Sequence, residues 1–380
     1  MKVCVVVLNS VWFDPRVTKQ IRSYSSSEVD VVAVGVKDAR YNKEEIEKLP
    51  CPVRLVDTAG VNQYTKSLRR KLRREYLRHK AMVSYIVEER PDVIHANDLD
   101  VLLPCYIAAR KLKCRLIYDT HEVFLDNYRI ASRKLVRLYY QMIETYVSKR
   151  MDAMVCVSNS AAEYFKKKYK VPKLLVVTNC VSTPQSIERI SKQPGFEVLN
   201  HGMFAWNRGY ELLIEASALL TEHKDITLVI RGLGPIEKEL RQLAEKVGTH
   251  NVRFDPPVHV SELVPFAARS HVGVAITEPT CLNYELSVSN KLFEYAAAGL
   301  PVIMSDIPEH RYLNNKYEFG VIIQHNTPDC LAQAILELYS NKELYQKFVR
   351  NAQRLTSEVN WDKEFSTLLS FEKGLIGNQM

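Results

Sequence analysis

Ser287-Val288-Ser289-Asn290-Lys291-Leu292-Phe293-Glu294-Tyr295-Ala296-Ala297-Ala298-Gly299-Leu300-Pro301-Val302-Ile303-Met304-Ser305 reads as a loop, a short helix and a strand. Ser289 or Asn290 can cap the helix, and Leu292, Phe293 and Ala296 supply its apolar face. Gly299 followed by Pro301 stops it ahead of the apolar Val302-Ile303-Met304 run. A helix start leaves backbone N–H groups without partners, and these, with the positive end of the helix dipole, suit an anion. Lys291 and Glu294 add a cation and a carboxylate within one turn. The ligand this suggests carries a phosphate and hydroxyls.

Outward from that stretch the same grammar repeats. Apolar runs of strand length alternate with helix-length segments. Val3 to Leu8, Val29 to Val34, Val53 to Val56, Val93 to Ala96, Arg115 to Tyr118 and Ala153 to Val157 are predicted strands of a first half. Glu197 to His201, Ile226 to Arg231, Asn251 to Phe254, Val272 to Ile276, Pro301 to Ser305 and Gly320 to Ile323 are those of a second. Near-continuous apolar strands separated by helices predict a parallel sheet covered on both faces. Between the halves lies a polar segment, Ser182 to Gly195, with Pro184 and Pro194, where a domain boundary falls. At 380 residues the chain suits two domains of roughly 150–200 residues each. Trp361 to Gly374 reads as a last amphipathic helix, packing back across the junction. The expected fold class is α/β, two doubly wound domains facing a central cleft, with ligands at the carboxyl ends of strands.

The charge balance, 52 Lys and Arg against 44 Asp and Glu, gives +8 and a pI near 8.9. Such basicity fits anionic small molecules, anionic lipid surfaces or nucleic acid without choosing among them. No nucleic-acid module or aromatic platform accompanies it, so nucleic acid is not an expected partner. The eight cysteines are scattered with no C-x-x-C pair, as in a reducing compartment. Met1 to Leu8 is too short for a signal peptide and no apolar run approaches roughly 18 residues. A cytoplasmic protein is expected, peripheral at most to the inner face of a membrane.

Gly202…Arg208-Gly209, Arg231-Gly232-Leu233-Gly234-Pro235, Asn251-Val252-Arg253-Phe254, and Asn290 to Tyr295 followed by Gly299-Leu300-Pro301-Val302 resemble, in that order, the carboxyl-terminal half of family-4 retaining glycosyltransferases of the GT-B fold. Asp14-Pro15-Arg16-Val17-Thr18-Lys19, Pro91 to Asp98 and Tyr118-Asp119-Thr120-His121-Glu122 resemble the amino-terminal half of the same group. The resemblance implies two Rossmann-like domains. Residues 1–183 would bind the acceptor, 184–196 would be a linker, 197–355 would bind the nucleotide sugar, and 356–380 would form a C-terminal helix packing on the first domain. It implies no cofactor and no metal. The donor would be a nucleotide-diphosphate sugar, a UDP-sugar in preference to a GDP-sugar, and the acceptor a glycan, lipid-linked or other hydroxyl compound.

By that resemblance Arg208 takes the place of the family's pyrophosphate-binding lysine, after Gly202 of the same loop. A guanidinium can grip two phosphate oxygens and stabilise the departing charge; read by itself, Arg208 is a solvated loop cation. The family often carries an arginine after the first glycine, where this chain has Met203, and Lys291 is the candidate substitute. Asn290, Lys291 and Leu292 would lend backbone N–H groups to the phosphates. Glu294 matches the second glutamate of the Glu-x7-Glu motif, whose two oxygens can take both hydroxyls of a ribose; alone, it is a helix-start glutamate favoured by the dipole.

The motif's first glutamate, which contacts the donor sugar in the family, falls on Leu286. Glu285 lies one residue earlier and, with Asn283, is a candidate sugar contact. His121 matches the acceptor-domain histidine that approaches the donor sugar and is the candidate catalytic group, since neutral imidazole offers one donor and one acceptor. Glu122 beside it reads as a helix cap. Asp14, Arg16 and Asp98 are candidate donor-sugar or acceptor contacts, although Asp14 and Arg16 also read as a local ion pair. Asp98-Leu99-Asp100 spells the Asp-x-Asp metal motif of the other major glycosyltransferase fold but reads here as a helix cap, because the phosphate already has cations and a helix terminus to meet.

Lys66 to Lys80 is the most basic stretch, with Leu68, Leu72 and Tyr76 on one helical stripe. Residues 129–140 interleave Arg129, Arg133, Lys134 and Arg137 with Leu135, Leu138, Tyr139 and Tyr140. Both read either as packed helices with solvated basic faces or as helices lying on an anionic membrane surface. The expected activity is sugar transfer with retention at the anomeric carbon, in cell-surface polysaccharide or glycoconjugate synthesis. Two alternatives stay open. One is an epimerase or phosphorylase on the same architecture; the other is a nucleotide-sugar-binding scaffold or partner subunit without activity, which the departures from the family pattern at Met203 and Leu286 keep open.

Overall fold

The computed structural model describes residues 1–57, 67–182 and 190–377, with Leu68, Lys71, Tyr128 and Arg129 described by their backbone alone. Lys66 of the basic stretch and residues 184–189 of the expected linker lie outside the described residues. The chain divides into two compact units, Met1–Val177 with Phe365–Met380, and Thr178–Glu364.

Among the described residues the first unit contains β1 (Lys2–Val6), β2 (Asp30–Lys37), β3 (Val53–Asp57), β4 (Val93–Asn97), β5 (Arg115–Thr120), β6 (Ala153–Cys156) and β7 (Leu174–Val176). They form one sheet in the order β3-β2-β1-β4-β5-β6-β7, parallel throughout. The second unit contains β8 (Phe196–Met203), β9 (Ile226–Leu233), β10 (Val252–Asp255), β11 (Val272–Ala275), β12 (Val302–Ser305) and β13 (Gly320–Ile323). Their order is β10-β9-β8-β11-β12-β13, again parallel. Central strands are buried residue after residue, as in Val93-Ile94-His95-Ala96-Asn97 and Val302-Ile303-Met304-Ser305. Helices on both faces remove the polar alternation that a one-sided sheet would show.

Each of the twelve strands predicted from the sequence is present, with ends displaced by up to three residues. The ladder runs past the apolar residues onto Lys37, Asp57, Asn97 and Thr120, because main-chain pairing does not require an apolar side chain. The sequence pattern does not mark β7, a half-buried edge strand of three residues that is too short to display a period.

Strand order reverses between β1 and β4 in the first sheet and between β8 and β11 in the second. Such switch points open a crevice beyond the strand carboxyl ends, because the connections on either side leave toward opposite faces. Asp14 follows β1, Asp98 follows β4 and His121 follows β5. Arg208 follows β8, and Asn290 to Glu294 follow β11. Within each unit, the residues singled out in the sequence therefore gather at one edge of the sheet.

The final helix, Trp361–Gly377, lays Phe365 edge-on against Tyr24 of the helix Pro15–Ser26, with ring centroids 5.0 Å apart. Trp361, Leu368 and Leu375 are buried along it.

Candidate functional site

In the second unit the helix Asn290–Ala297 is fastened to the end of β8 by three side chains. Lys291 Nζ donates to Asn200 Oδ1 at 2.8 Å, Glu294 Oε2 lies 2.7 Å from His201 Nε2, and the His201 backbone N–H donates to the Tyr295 hydroxyl at 3.0 Å. Gly273 of β11 makes room for this packing, since a Cβ there would come within 2.2 Å of the Tyr295 ring. Asn200 also donates from Nδ2 to the Arg208 carbonyl at 3.2 Å, so one buried amide ties the Arg208 loop to Lys291. Gly202 sits at φ +126, a backbone angle that glycine adopts freely and other residues rarely do.

Arg208 is half-exposed, with its guanidinium over the Tyr284 ring at 5.3 Å and no ion pair among the described residues. Lys291 is buried, and burial, reinforced by the Arg208 charge and opposed by Glu294, pushes its amine down to about 7. A marginally charged amine beside a guanidinium with no ion pair among the described residues is an arrangement suited to an anion. Ser289 stands at the cap position without a side-chain cap bond, contrary to the sequence expectation, so its hydroxyl does not take up the first helical N–H groups. Asn290 is exposed at this end, whereas the Leu292 side chain is wholly buried and its contribution is confined to the backbone. In the preceding short helix, Leu282–Glu285, Asn283 is buried and Glu285 is exposed, with Leu286 at the carboxyl-terminal cap.

In the first unit His121 follows directly on β5. Its backbone N–H donates to Asp98 Oδ1 at 3.0 Å, its Nε2 lies 3.1 Å from Asn97 Oδ1, and its Nδ1 lies 3.4 Å from Asp98 Oδ2. The Asn97 amide nitrogen donates to the carbonyls of Val6 and His95. Its Oδ1 is therefore the acceptor and His121 Nε2 carries the hydrogen. Burial lowers the His121 pKa, aided by Arg16 and opposed by Asp119, so the ring is a neutral imidazole. Burial, with Asp100 and Glu122 nearby, raises Asp98, and a protonated Asp98 can donate to His121 Nδ1.

Three local readings are corrected here. Asp98 at φ +70 caps nothing with its side chain; it turns its carboxyl to His121. Arg16 does not pair with Asp14. Its buried guanidinium holds Asp119 through Nη2 at 3.0 and 3.1 Å and donates from Nη1 to the Val177 carbonyl at 3.0 Å, while Asp14 caps the helix Pro15–Ser26 by accepting from the N–H groups of Arg16 and Val17. Glu122 accepts both bonds of the Asn127 amide, and the turn Phe124–Asp126 begins at Val123 with no side-chain cap.

Sequence reasoning missed Asn200, His201 and Asn97, which hold Lys291, Glu294 and His121. Their only signal was a polar side chain at the end of an apolar strand run.

The helix Leu68–Glu89 exposes Leu72, Tyr76 and Leu77 among Arg69, Arg70, Arg73 and Lys80. The helix Lys134–Val147 exposes Leu135 (83%), Leu138, Met142 and Tyr146, and its one acid, Glu144, is buried. Among the described residues no helix is long and apolar enough to cross a membrane.

The chain is similar to known proteins along most of its length. Residues 195–341 match the family model described as glycosyl transferases group 1, and residues 20–185 match that of glycosyltransferase family 4. The O-antigen chain mannosyltransferase C of Escherichia coli is 23% identical over 244 residues, 60% of this chain and 62% of that enzyme. The GDP-mannose:cellobiosyl-diphosphopolyprenol alpha-mannosyltransferase of Xanthomonas campestris is 23% identical over 252 residues, 65% of this chain and 64% of that enzyme. These alignments span less than two thirds of either relative. Among solved structures, Anabaena Alr3699/HepE in complex with UDP and glucose superimposes with a TM-score of 0.76 at 16% identity, over 98% of this chain and 100% of that one. With the two family models together spanning most of its length and a parallel sheet in each unit, the chain belongs to glycosyltransferase family 4 and has the GT-B fold.

Proposed function

We propose that this protein transfers a sugar from a nucleotide-diphosphate donor to a hydroxyl acceptor, with retention at the anomeric carbon and without a metal ion. The observation that carries this reading is the cluster around the start of the helix Asn290–Ala297. Arg208, Lys291 and Glu294 stand there together, two groups suited to a diphosphate and one to a ribose hydroxyl. The diphosphate is the leaving group, so fixed positive groups that bind it more tightly as its charge grows lower the barrier. Arg208 supplies that charge and Lys291 adds to it once the bound diphosphate draws a proton onto its amine, which is why no divalent ion is invoked. His121, a neutral imidazole held by Asn97 and Asp98, would exchange one of those two contacts for a hydroxyl of the sugar or acceptor and so orient it.

Glu294 shares Oε2 with His201, so Oε1 is the oxygen left for a ribose hydroxyl. A UDP-sugar is the preferred donor, by analogy with the UDP complex of the Anabaena protein; the Xanthomonas relative's GDP-mannose makes the guanine nucleotide the competing choice. The E. coli relative's role in O-antigen synthesis supports an acceptor in cell-surface polysaccharide or glycoconjugate assembly. The exposed leucines and cations described above in the helices Leu68–Glu89 and Lys134–Val147 support attachment of the first unit to the anionic inner face of a membrane, where a lipid-linked acceptor would lie.

A thermal-shift screen with nucleoside diphosphates and their sugar conjugates, followed by transfer to a lipid-linked acceptor panel, tests the proposal. Stabilisation by UDP-sugars and turnover are expected. Binding without hydrolysis or transfer would favour the scaffold reading, which the absence of a glutamate at Leu286 keeps in play.

A further inference from the structure

The first unit buries a line of polar groups that the proposed transfer does not use. Glu372, on the final helix, is wholly buried; its Oε1 accepts the Tyr24 hydroxyl at 2.5 Å and lies 3.3 Å from His95 Nε2, and its Oε2 has no partner. His95, in β4, is equally buried, with Gln20 Nε2 3.3 Å from both ring nitrogens and Asp119 Oδ2 3.8 Å from Nδ1. Asp119 Oδ2 in turn lies 4.0 Å from His121 Nε2. A carboxyl on the buried face of a helix costs desolvation that a leucine would avoid, and its placement at the end of a line leading to His121 calls for a role.

A protonated Glu372 can hold its hydrogen on Oε1 or on the unpartnered Oε2, and the Tyr24 hydroxyl directed at Oε1 favours Oε2. The Tyr24 oxygen lies within reach of the Gln20 amide and its hydroxyl faces Glu372, so Oε1 is an acceptor. His95 Nε2 then carries a hydrogen toward Oε1 and Nδ1 is bare, while the Gln20 amide nitrogen, 3.3 Å from both ring nitrogens, lies over the ring face and selects neither. With no hydrogen on Nδ1, His95 offers Asp119 nothing, and the Asp119 charge is left to Arg16 and His121.

We propose that Glu372 is a positioning residue for His121, fixing the His95 tautomer that leaves the Asp119 carboxylate undivided between Arg16 and His121. The proposal rests on the reading of His121 as the group that meets the donor sugar. Charged and titratable groups facing His121 are Asp98, Asp119, Arg16, Asp14 and His95; Glu372 acts through the last of these. Burial pushes Glu372 up to about 8, so at neutral pH it is the acid and Gln is its near-isostere.

The test is NMR of the whole chain with 15N-labelled histidine, alongside transfer kinetics. In the wild type His95 should be the Nε2–H tautomer. Glu372→Leu removes the acceptor, and His95 should shift to Nδ1–H and donate to Asp119. Less negative charge then reaches His121, which should titrate at lower pH, and kcat should fall about tenfold or more with the donor KM within about twofold. Glu372→Gln should keep the wild-type tautomer and a kcat within about threefold. An Nδ1–H tautomer in the wild type overturns the proposal without any variant. So does an E372L protein whose His95 and His121 signals are unchanged. If both signals move while kcat does not, the reading of His121 fails, and with it the assignment of Glu372 to the reaction.

Discussion

His201 donates from Nε2 to Glu294 Oε2 over 2.7 Å, and this contact orients the one carboxylate at the start of the helix Asn290–Ala297. Both side chains are largely withdrawn from water, with 2% and 17% exposure, so the carboxylate is held rather than free to rotate. Loss of a charge-assisted hydrogen bond costs roughly 1.5–3 kcal/mol. Glu294→Gln should therefore weaken nucleotide-sugar binding about 10–100-fold, and His201→Ala by a smaller factor, about 3–10-fold. Calorimetric titration checks both, and the double variant should fall short of the summed loss because the residues share one contact.

Arg208 should discriminate charge from shape. Its guanidinium rests on the Tyr284 ring, a flat contact that an ammonium does not reproduce. Arg208→Ala should lower kcat/KM about 100-fold, and Arg208→Lys should recover about a tenth of the wild-type value at most. Steady-state kinetics over a range of donor concentrations reads this directly.

Lys291 should take up a proton when the donor binds. Its amine is pushed down to about 7 by burial and Arg208, and a diphosphate beside it would raise that value again. Above pH 7 the free protein lacks the proton that the complex holds; below it both hold one. The binding enthalpy at pH 8 should thus depend on the ionisation heat of the buffer, with an uptake approaching about one proton, and at pH 6 the dependence should fade. Lys291→Met should abolish it.

Glu372 should make stability fall as pH rises. Its folded pKa of about 8 exceeds the ordinary carboxyl value of 4.5, so between those values the folded state holds a proton that the unfolded state has lost. Each pH unit in that window costs about 1.4 kcal/mol. Urea unfolding of the wild type and Glu372→Gln at pH 5 and pH 7.5 should show the variant gaining relative stability at the higher pH.

Attachment of the first unit to lipid should depend on both charge and the apolar stripe. The protein should float with vesicles containing anionic lipid at low salt and release as salt is raised. Leu138→Glu with Met142→Glu, both at exposed positions, should abolish flotation and leave Tm within about 2 °C of the wild type. Flotation unchanged in that variant would overturn the membrane reading.

The sequence by itself determined the two parallel sheets and the edge at which the candidate residues collect. Strand burial on both faces writes itself as continuous apolar runs, and a parallel sheet allows few orders for them. It also put Lys291 and Glu294 together, because a helix start and its flanking charges are local in the chain, whereas Arg208, on a loop after a different strand, joined them only through the family resemblance. What only the tertiary structure decided was who holds them. Asn200 lies 91 residues from Lys291, His201 lies 93 from Glu294, and Asp119 lies 103 from Arg16. Such pairings are set by which strands become neighbours, and no periodicity records them. The same cause separated Arg16 from Asp14. Two residues apart in the chain, they point to different partners, because the first turn of a helix sends one side chain back to cap its own N–H groups and the other across the sheet into a buried carboxylate.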